Sequence, residues 1–408
     1  MEVGMNTVVR TMRSCTTRGR RRRAAAAVLA LSSAALVIGG VATSEAVTSV
    51  TGYKYQSTPA LVAAAKRAAL KDAAAAGKPT KLPAHKKIGL ILLSGTSATS
   101  QRVVVATHQI AKLLGYTTIV CDPGFDATKV PACATSIVAQ NPSMIISVST
   151  NPGEFGSALA TAAQRHILWF DVGSGITPSA DIANYGEPGP PLAHALDKWL
   201  FKTMAARANP GSKLDIMALT APTVGISSSG AEGTLLKDVK NNPRVDLVVN
   251  HNLDLTNIVQ DTLNTTTQTA QQFPSLAGTW TVCDVCIPLM AQAFTTAGLT
   301  GANRPVVAGE YSTPQTVADI RAGSVNGVAD YPWEVQVWTA VDQALEHWAR
   351  GKPIVQNFSV FGKYGLKFMT PYVITPSSAG KSGPAPIYGS DFQSYFETKW
   401  QKEFGIAK

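Results

Sequence analysis

The sequence predicts an α/β fold with two doubly wound parallel-sheet lobes and a cleft between them. Apolar runs of about five residues alternate with helical patterns of about a dozen residues, which is typical of βαβ units. The alternation occurs in two series, over residues 88–173 and from residue 192 onward. The strands are nearly continuous apolar runs, so we expect helices to cover both faces of each sheet.

The first series opens with the strand Ile88–Leu93 and a small polar loop at residues 94–100. Right-handed crossovers place the carboxyl ends of parallel strands, and the loops that follow them, on one side of a sheet. The remaining elements are, in order, a helix ending at Gly115, strand Thr117–Cys121, helix 128–140, strand Met144–Val148, helix 155–165 and strand Ile167–Phe170.

The second series follows a passage rich in Gly and Pro at residues 184–191, which we interpret as a connection between lobes. Beyond Gly351 the alternation stops, and one further helix is predicted at residues 392–403. The elements between these points are helix 192–207, strand 214–219, helix 231–240, strand 245–249, helix 256–272, strand 280–282, helix 288–297, strand 305–308, helix 314–322, strand 327–330 and helix 333–350.

The formal net charge of +10 is concentrated at the N-terminus. Seven arginines and two glutamates in residues 1–46 contribute +5, so the rest of the chain carries only +5. No basic stripe interleaved with aromatic residues follows Arg23, and nucleic acid is therefore not an expected partner. Hydrophobic residues at 45% and charged residues at 15% are typical of a globular protein.

Residues 1–46 have the pattern of an export signal. The four arginines Arg20–Arg23 precede an apolar segment at residues 24–42, which ends in small residues. An uncleaved membrane anchor is the alternative, and Sec and Tat export both stay open. Residues 47–87 are interpreted as a linker with a lead-in helix at residues 60–76, serving as a spacer or surface helix.

Four cysteines lie outside the export signal, and an even number in an exported chain predicts disulfides. Three pairings are possible, and proximity favours Cys121–Cys133 and Cys283–Cys286. The C-x-x-C of the second pair could instead be a redox dithiol, or bind zinc with a further ligand such as His251.

The sequence lacks the usual signatures of catalysis. It contains no G-x-S-x-G nucleophile motif, and its six histidines include no H-E-x-x-H pair. The segment Ser378–Ser382 resembles a phosphate loop but has Thr375 where the first glycine is needed. We therefore expect no enzyme activity, no cofactor and no metal site.

The ordered pattern over residues 88–353 resembles the type I periplasmic binding protein family, in particular its ribose- and sugar-binding branch, which serves ABC importers. The resemblance implies that the chain crosses three times between lobes. Residues 88–182 and 331–352 would form the N-terminal lobe, and residues 186–329 and 353–408 the C-terminal lobe. The segments on which the resemblance rests are the opening strand and its loop, Lys112–Tyr116, Ile167–Asp171, Pro305–Glu310 and Gly327–Pro332.

The resemblance also implies a ligand cleft that closes by a hinge, with polar side chains from strand-end loops bonding ligand hydroxyls and aromatic faces stacking on a ring. Carboxylates suit hydroxyl donors, and aromatic faces provide contact area at small entropic cost. Each carboxylate could alternatively be a solvated strand-end group or a helix cap, and Trp333 could be core. The positions that match are Thr96, Ser97, Asp171, Ser229, Asp284, Glu310 (or Tyr311), Asp330 and Trp333.

Three departures from the sugar-binding pattern indicate a less polar pocket. Val172 stands where an arginine usually follows the strand-end aspartate, the loop 227–230 has no arginine, and Cys283 replaces an asparagine. These changes remove fixed hydrogen-bond donors. A sugar-like ligand is the first choice, and an aromatic compound or modified sugar is the alternative.

The function implied is that of an exported, monomeric substrate-binding protein with a small-molecule ligand and a membrane-bound ABC permease as partners. A receptor-like sensor and a secreted α/β enzyme are the alternatives. We also expect, at this point, that Asp171→Ala abolishes ligand-induced stabilisation while leaving the protein folded.

Overall fold

Two β-sheets, of five and six strands, carry the fold of this computed structural model, and each sheet belongs to one lobe. The structure describes residues 55–186, 189–330, 333–357, 370–387 and 391–406, all within one unit of the chain. The predicted export signal, residues 1–46, and the start of the linker lie outside the described residues. None of the helices in the described ranges is both long and apolar enough to cross a membrane.

The first sheet is parallel throughout and has the strand order β3-β2-β4-β5-β6. Short 3₁₀ turns at residues 127–129 and 152–155 precede two of its helices, which therefore begin later than predicted. The elements up to this point are β1 Tyr55–Gln56, α1 Pro59–Ala76, β2 Lys87–Ile91, α2 Ala98–Leu114, β3 Thr117–Cys121, α3 Val130–Ala139, β4 Met144–Val148, α4 Ala158–Gln164, β5 Leu168–Val172 and β6 Ile182–Asn184.

The second sheet has the order β12-β11-β10-β9-β7-β8 and is parallel except for β12. The short strands β6 and β12 were not predicted, because three residues give too little pattern to detect. The remaining elements are α5 Gly189–Arg207, β7 Leu214–Thr220, α6 Ile226–Lys240, β8 Val245–Asn252, α7 Ile258–Gln272, β9 Leu276–Thr281, α8 Cys286–Thr296, β10 Val306–Glu310, α9 Pro314–Ala322, β11 Gly327–Asp330, α10 Glu334–Arg350, β12 Tyr372–Ile374, β13 Ala385–Pro386 and α11 Phe392–Phe404.

The lead-in helix α1 is part of the folded body rather than a spacer. Ala65, Ala69 and Ala73 recur every four residues and are buried, forming one small-residue face that allows α1 to pack closely against α11. The Tyr395 hydroxyl of α11 donates to Asp72 of α1 at 2.7 Å. Upstream of α1, β1 pairs in parallel with β13.

The C-terminal tail packs in two places, and the assignment of residues 353–408 to the second lobe stays a prediction. Strand β12 extends the second sheet beside β11. Helix α11 instead packs on α10, where the rings of Trp338 and Trp400 stack with centroids 5.3 Å apart. Asn357 still bridges to Asn184 at the end of β6. The other predicted lobe bounds stay predictions.

Asp197 of α5 is a buried carboxyl group whose raised pKa should make the stability of the protein depend on pH. It is fully buried, and burial together with the nearby Asp238 carboxylate raises its pKa to about 8. The folded state then binds one proton more than the unfolded state between about pH 4 and pH 8, so stability should fall as pH rises through this window.

We expect Asp197→Asn to be more stable than the parent by about 2 kcal/mol above pH 8 and to show a flatter pH profile. Urea unfolding across this pH range measures both effects. Asp246→Asn, at an exposed carboxylate paired with Lys213, is the matched control and should leave the profile unchanged. An Asp197→Asn profile that parallels the parent would contradict the assignment.

Candidate functional site

A cavity of about 60 Å³, here named the inner cavity, lies between the lobes where the carboxyl ends of strands from both sheets meet. This is the position at which open α/β sheets bind ligands. Its walls are mainly apolar, with a few hydroxyls and one carboxylate. The lining residues are Leu93, Ser97, Thr99, Phe125, Ser149 and Gly173 from the first lobe, Ala221, Val224, Ser228, Leu255, Ile258, Val282, Cys283, Asp284 and Tyr311 from the second, and Trp333.

Asp284 connects the two lobes across this cavity. Its Oδ2 accepts hydrogen bonds from the Thr99 N–H at 2.8 Å, the Thr99 hydroxyl at 3.0 Å and the Ser97 hydroxyl at 3.3 Å. Ser97 is the N-cap of α2, so the carboxylate lies at the positive end of that helix. We call these three hydrogen bonds the Asp284 clasp.

The loop that carries Asp284 is covalently constrained. Cys283 and Cys286 form a disulfide with Cα atoms 5.2 Å apart, and the Val285 N–H donates to Asp284 Oδ1 at 2.7 Å. The other predicted pair, Cys121–Cys133, is also bridged and joins β3 to α3, with Cα atoms 5.7 Å apart. Of these two bridges, Cys283–Cys286 borders the inner cavity and Cys121–Cys133 does not.

Two aromatic rings form one wall of the inner cavity. Tyr311 and Trp333 meet edge to face with centroids 4.9 Å apart. Trp333 is 2% exposed and packs against Gly173, where an added Cβ would lie 3.1 Å from the ring. Gly173 has φ of 92°, so a side chain there would also strain the backbone.

Three cavity-lining residues other than glycine have left-handed backbones. Phe125, Ser149 and Tyr311 have φ of 66°, 50° and 68°, and each lies in a loop after a strand. This conformation is unfavourable for side chains with a Cβ, above all for aromatic ones. Such strained residues cluster at ligand-binding sites, where the surrounding fold maintains them.

The structure brings Ser97, Asp284 and Trp333 together at the inner cavity. Thr96 and Ser229 are exposed and do not line it; the nearby residues Thr99 and Ser228 do. Which of these neighbouring residues line the cavity depends on the residue at which α2 and α6 begin, because the start of each helix determines which side chains face the other lobe.

Asp171 is buried behind the cavity wall rather than lining it. One oxygen accepts from the Ser147 hydroxyl at 2.8 Å, and the other from the N–H groups of Ser174, Gly175 and Ile176 at 2.7–3.2 Å. Burial raises its pKa despite these donors. Its observed role is to shape the loop after β5.

Asp330 and Glu310 also lie away from the inner cavity, and both are fully buried. Asp330 accepts from the Ser312 hydroxyl and forms an ion pair at 3.3 Å with Arg102 of α2. Arg102 in turn bonds both carboxylate oxygens of Glu334 at 3.0 Å, and its guanidinium also contacts the Tyr55 hydroxyl. Burial raises the pKa of Asp330 to about 6.

Sequence reasoning missed Arg102 and most of the apolar lining. Arg102 stands in a helix with no nearby acidic residue in sequence, so no local signal marked its acidic partners, which lie more than 200 residues away. Phe125 and Ser149 do follow predicted strands, and that position alone could have marked them as candidates.

A family profile described as "Periplasmic binding protein domain" matches residues 88–353. No curated protein sequence matches the chain.

Several solved structures share the fold. A periplasmic solute-binding protein of an ABC transporter from Actinobacillus succinogenes with bound D-allose has a TM-score of 0.61 at 17% identity, covering 72% of this chain and 99% of its own. A 5-methylthioribose transporter solute-binding protein from Thermotoga lettingae also scores 0.61, at 13% identity with 74% and 88% covered. A Mycobacterium smegmatis solute-binding protein with bound glycerol scores 0.61, at 17% identity with 74% and 99% covered.

Proposed function

This chain belongs to the periplasmic binding protein family, and on that premise we propose that it is the exported substrate-binding protein of an ABC importer. It captures a small molecule between its lobes and presents the closed form to a membrane permease. The observation that carries the proposal is the inner cavity, which is bounded by strand ends of both sheets and bridged by the Asp284 clasp. Export is supported by the sequence pattern of residues 1–46.

Ligand exchange requires the lobes to separate. The inner cavity of about 60 Å³ is far smaller than the several hundred Å³ typical of small-molecule pockets. A ligand that contacts both lobes favours the closed form by its difference in affinity for the two forms. The Asp284 clasp joins groups from the two lobes and is broken when they separate. Its hydrogen bonds therefore stabilise the closed form in addition to the contacts that the ligand makes.

The lining favours a ligand with hydroxyls and an apolar face. Ser97, Thr99, Ser149 and Ser228 provide hydroxyls, while Tyr311 and Trp333 provide ring surface. A sugar-like compound is the first choice, and the relatives of the same fold bind D-allose and 5-methylthioribose. The apolar walls make a modified sugar or an aromatic compound the alternative.

A receptor-like sensor would have the same cavity and would differ in its membrane partner. A secreted α/β enzyme is the less favoured alternative. Turnover of a bound compound separates an enzyme from a binding protein, because a binding protein returns its ligand unchanged.

We expect a thermal-shift screen of sugars, polyols and small aromatic compounds to identify a stabilising ligand. A ligand at about a hundred times its dissociation constant adds about 2.7 kcal/mol to the free energy of unfolding. Asp284→Asn should weaken its binding about tenfold or more, because a charge-assisted bond to the Thr99 N–H is lost.

Adjacent serines provide the matched control. Ser228→Ala should weaken binding several-fold, whereas Ser229→Ala, at an exposed position outside the cavity, should not. The proposal fails if no compound stabilises the protein, or if the bound compound is released chemically changed.

A further inference from the structure

The inner cavity adjoins a second cavity of about 110 Å³, here named the outer cavity. The outer cavity is lined mainly by loops after β2, β3, β4, β7 and β8. The two cavities share the lining residues Leu93, Phe125, Ser149, Val224 and Leu255. One ligand can therefore extend through both, past the Phe125 ring, once the lobes adjust around it.

The charges that line this pair of cavities have one sign. Asp126 and Glu154 line the outer cavity and Asp284 the inner one, and none of the described lining residues is Lys, Arg or His. The positive end of α2 also faces the inner cavity, but the Asp284 clasp already occupies it. A negatively charged ligand therefore finds carboxylates of its own sign and no cationic side chain among the described lining residues.

Two of the three carboxylates already have hydrogen-bond or ion-pair partners within the protein. Asp284 is bonded by Thr99 and Ser97 in the clasp. Asp126 accepts from the N–H and hydroxyl of Thr128 and forms an ion pair with Lys129 at 3.2 Å. Neither is available as the counter-ion of a ligand.

Glu154 differs from both. It follows Pro152 in a 3₁₀ turn after β4 and is half-buried in the wall of the outer cavity. Within the described part of the chain its carboxylate has no hydrogen bond, and burial raises its pKa. A partly desolvated carboxylate without a partner is best complemented by a cationic hydrogen-bond donor.

The aromatic lining suits the same chemistry. Phe125 borders both cavities, and Tyr311 and Trp333 border the inner one. Aromatic faces attract cations and also pack against the apolar face of a ring. The charge distribution and the ring surfaces thus favour one kind of ligand.

We propose that the physiological ligand is an amine-bearing ring compound. Its ring lies in the inner cavity against Tyr311 and Trp333, and its ammonium group pairs with Glu154 in the outer cavity. Acidic analogues are excluded by the absence of any cation among the described lining residues. This inference rests on the proposed function and specifies the ligand class of the same site.

Two charge-matched sets of probes test it on the full chain: D-glucose, D-glucosamine and D-glucuronate, and benzyl alcohol, benzylamine and benzoate. Thermal shift and calorimetry at slightly acidic pH measure their binding. In the set that fits the inner cavity, we expect the amine to bind about tenfold more tightly than the neutral compound, and the acid to give no shift. The advantage of the amine should shrink as salt is added.

Glu154→Gln keeps the shape of the side chain and removes its charge, so it should abolish the advantage of the amine over the neutral compound. Asp122→Asn removes the same charge from an exposed loop position of the same lobe that lines neither cavity, and it should keep the advantage. Together the two variants separate a local ion pair from the general charge of the lobe.

The inference is overturned if the neutral or acidic probe binds as tightly as the amine, or if Glu154→Gln retains the preference. Those outcomes leave binding in the cleft, and with it the proposed function, in place. The absence of binding by every probe in both sets would instead contradict a site for small ring compounds, and thereby the proposed function as well.

Discussion

Arg102→Met is expected to destabilise the folded protein by about 3–5 kcal/mol. Arg102 is 1% exposed and is the shared partner of Asp330 and Glu334, which are also buried. Methionine fills much of the same volume but leaves both carboxylates in a low-dielectric interior without their cation. Removing one partner of a buried ion pair is far more damaging than the net contribution of the intact pair suggests.

The loss should depend on pH. Burial already raises the pKa of Asp330 to about 6, and without Arg102 the folded-state pKa rises further. The folded variant then binds more protons than the unfolded chain, so its stability should recover as the pH falls through this raised pKa, which lies above about 6, toward the unfolded value near 4. Urea unfolding at several pH values measures both the loss and its recovery.

Arg165→Met is the matched control for this substitution. Arg165 is exposed, and within the described residues its guanidinium donates to the Val138 carbonyl alone, at 3.3 Å, so its replacement should change stability by less than about 0.5 kcal/mol. Equal losses in the two variants, or an Arg102→Met loss that is independent of pH, would contradict the role given to Arg102.

Asp171→Ala is also expected to cost about 3–5 kcal/mol of stability, since it leaves three backbone N–H groups and a hydroxyl without their acceptor. The expectation from sequence is that the variant stays folded and loses ligand-induced stabilisation; the contacts of Asp171 add a loss of stability to that expectation. Any effect on binding should be indirect, through Gly173 in the loop that Asp171 shapes.

Asp171→Asn separates shape from charge at this position. The amide retains one acceptor oxygen in a side chain of the same size, so its loss should be clearly smaller than that of alanine. Chemical denaturation of both variants is the measurement. An Asp171→Ala protein of unchanged stability that no longer responds to ligand would restore a direct contact with the ligand.

The periodicity of the sequence alone determined the two α/β sheets and most of their elements. Runs such as Met144–Val148 are apolar at all positions but Ser147, which is typical of a strand covered on both faces. Sequence order also placed Ser97, Asp284 and Trp333 at strand ends or a lobe crossing. Whether a residue follows a strand depends only on the nearby sequence, so the hydrophobic pattern of that stretch is enough to predict it.

The tertiary structure decided which of these polar groups face the cleft. Asp171 and Asp330 end strands as predicted, yet their carboxylates turn into the protein, where backbone N–H groups or Arg102 satisfy them. Whether a carboxylate faces the cleft or the interior depends on hydrogen-bond donors from other segments. Arg102, for example, lies 228 residues from Asp330 in the sequence. A buried carboxylate needs partners on every side, and no single stretch of sequence specifies all of them.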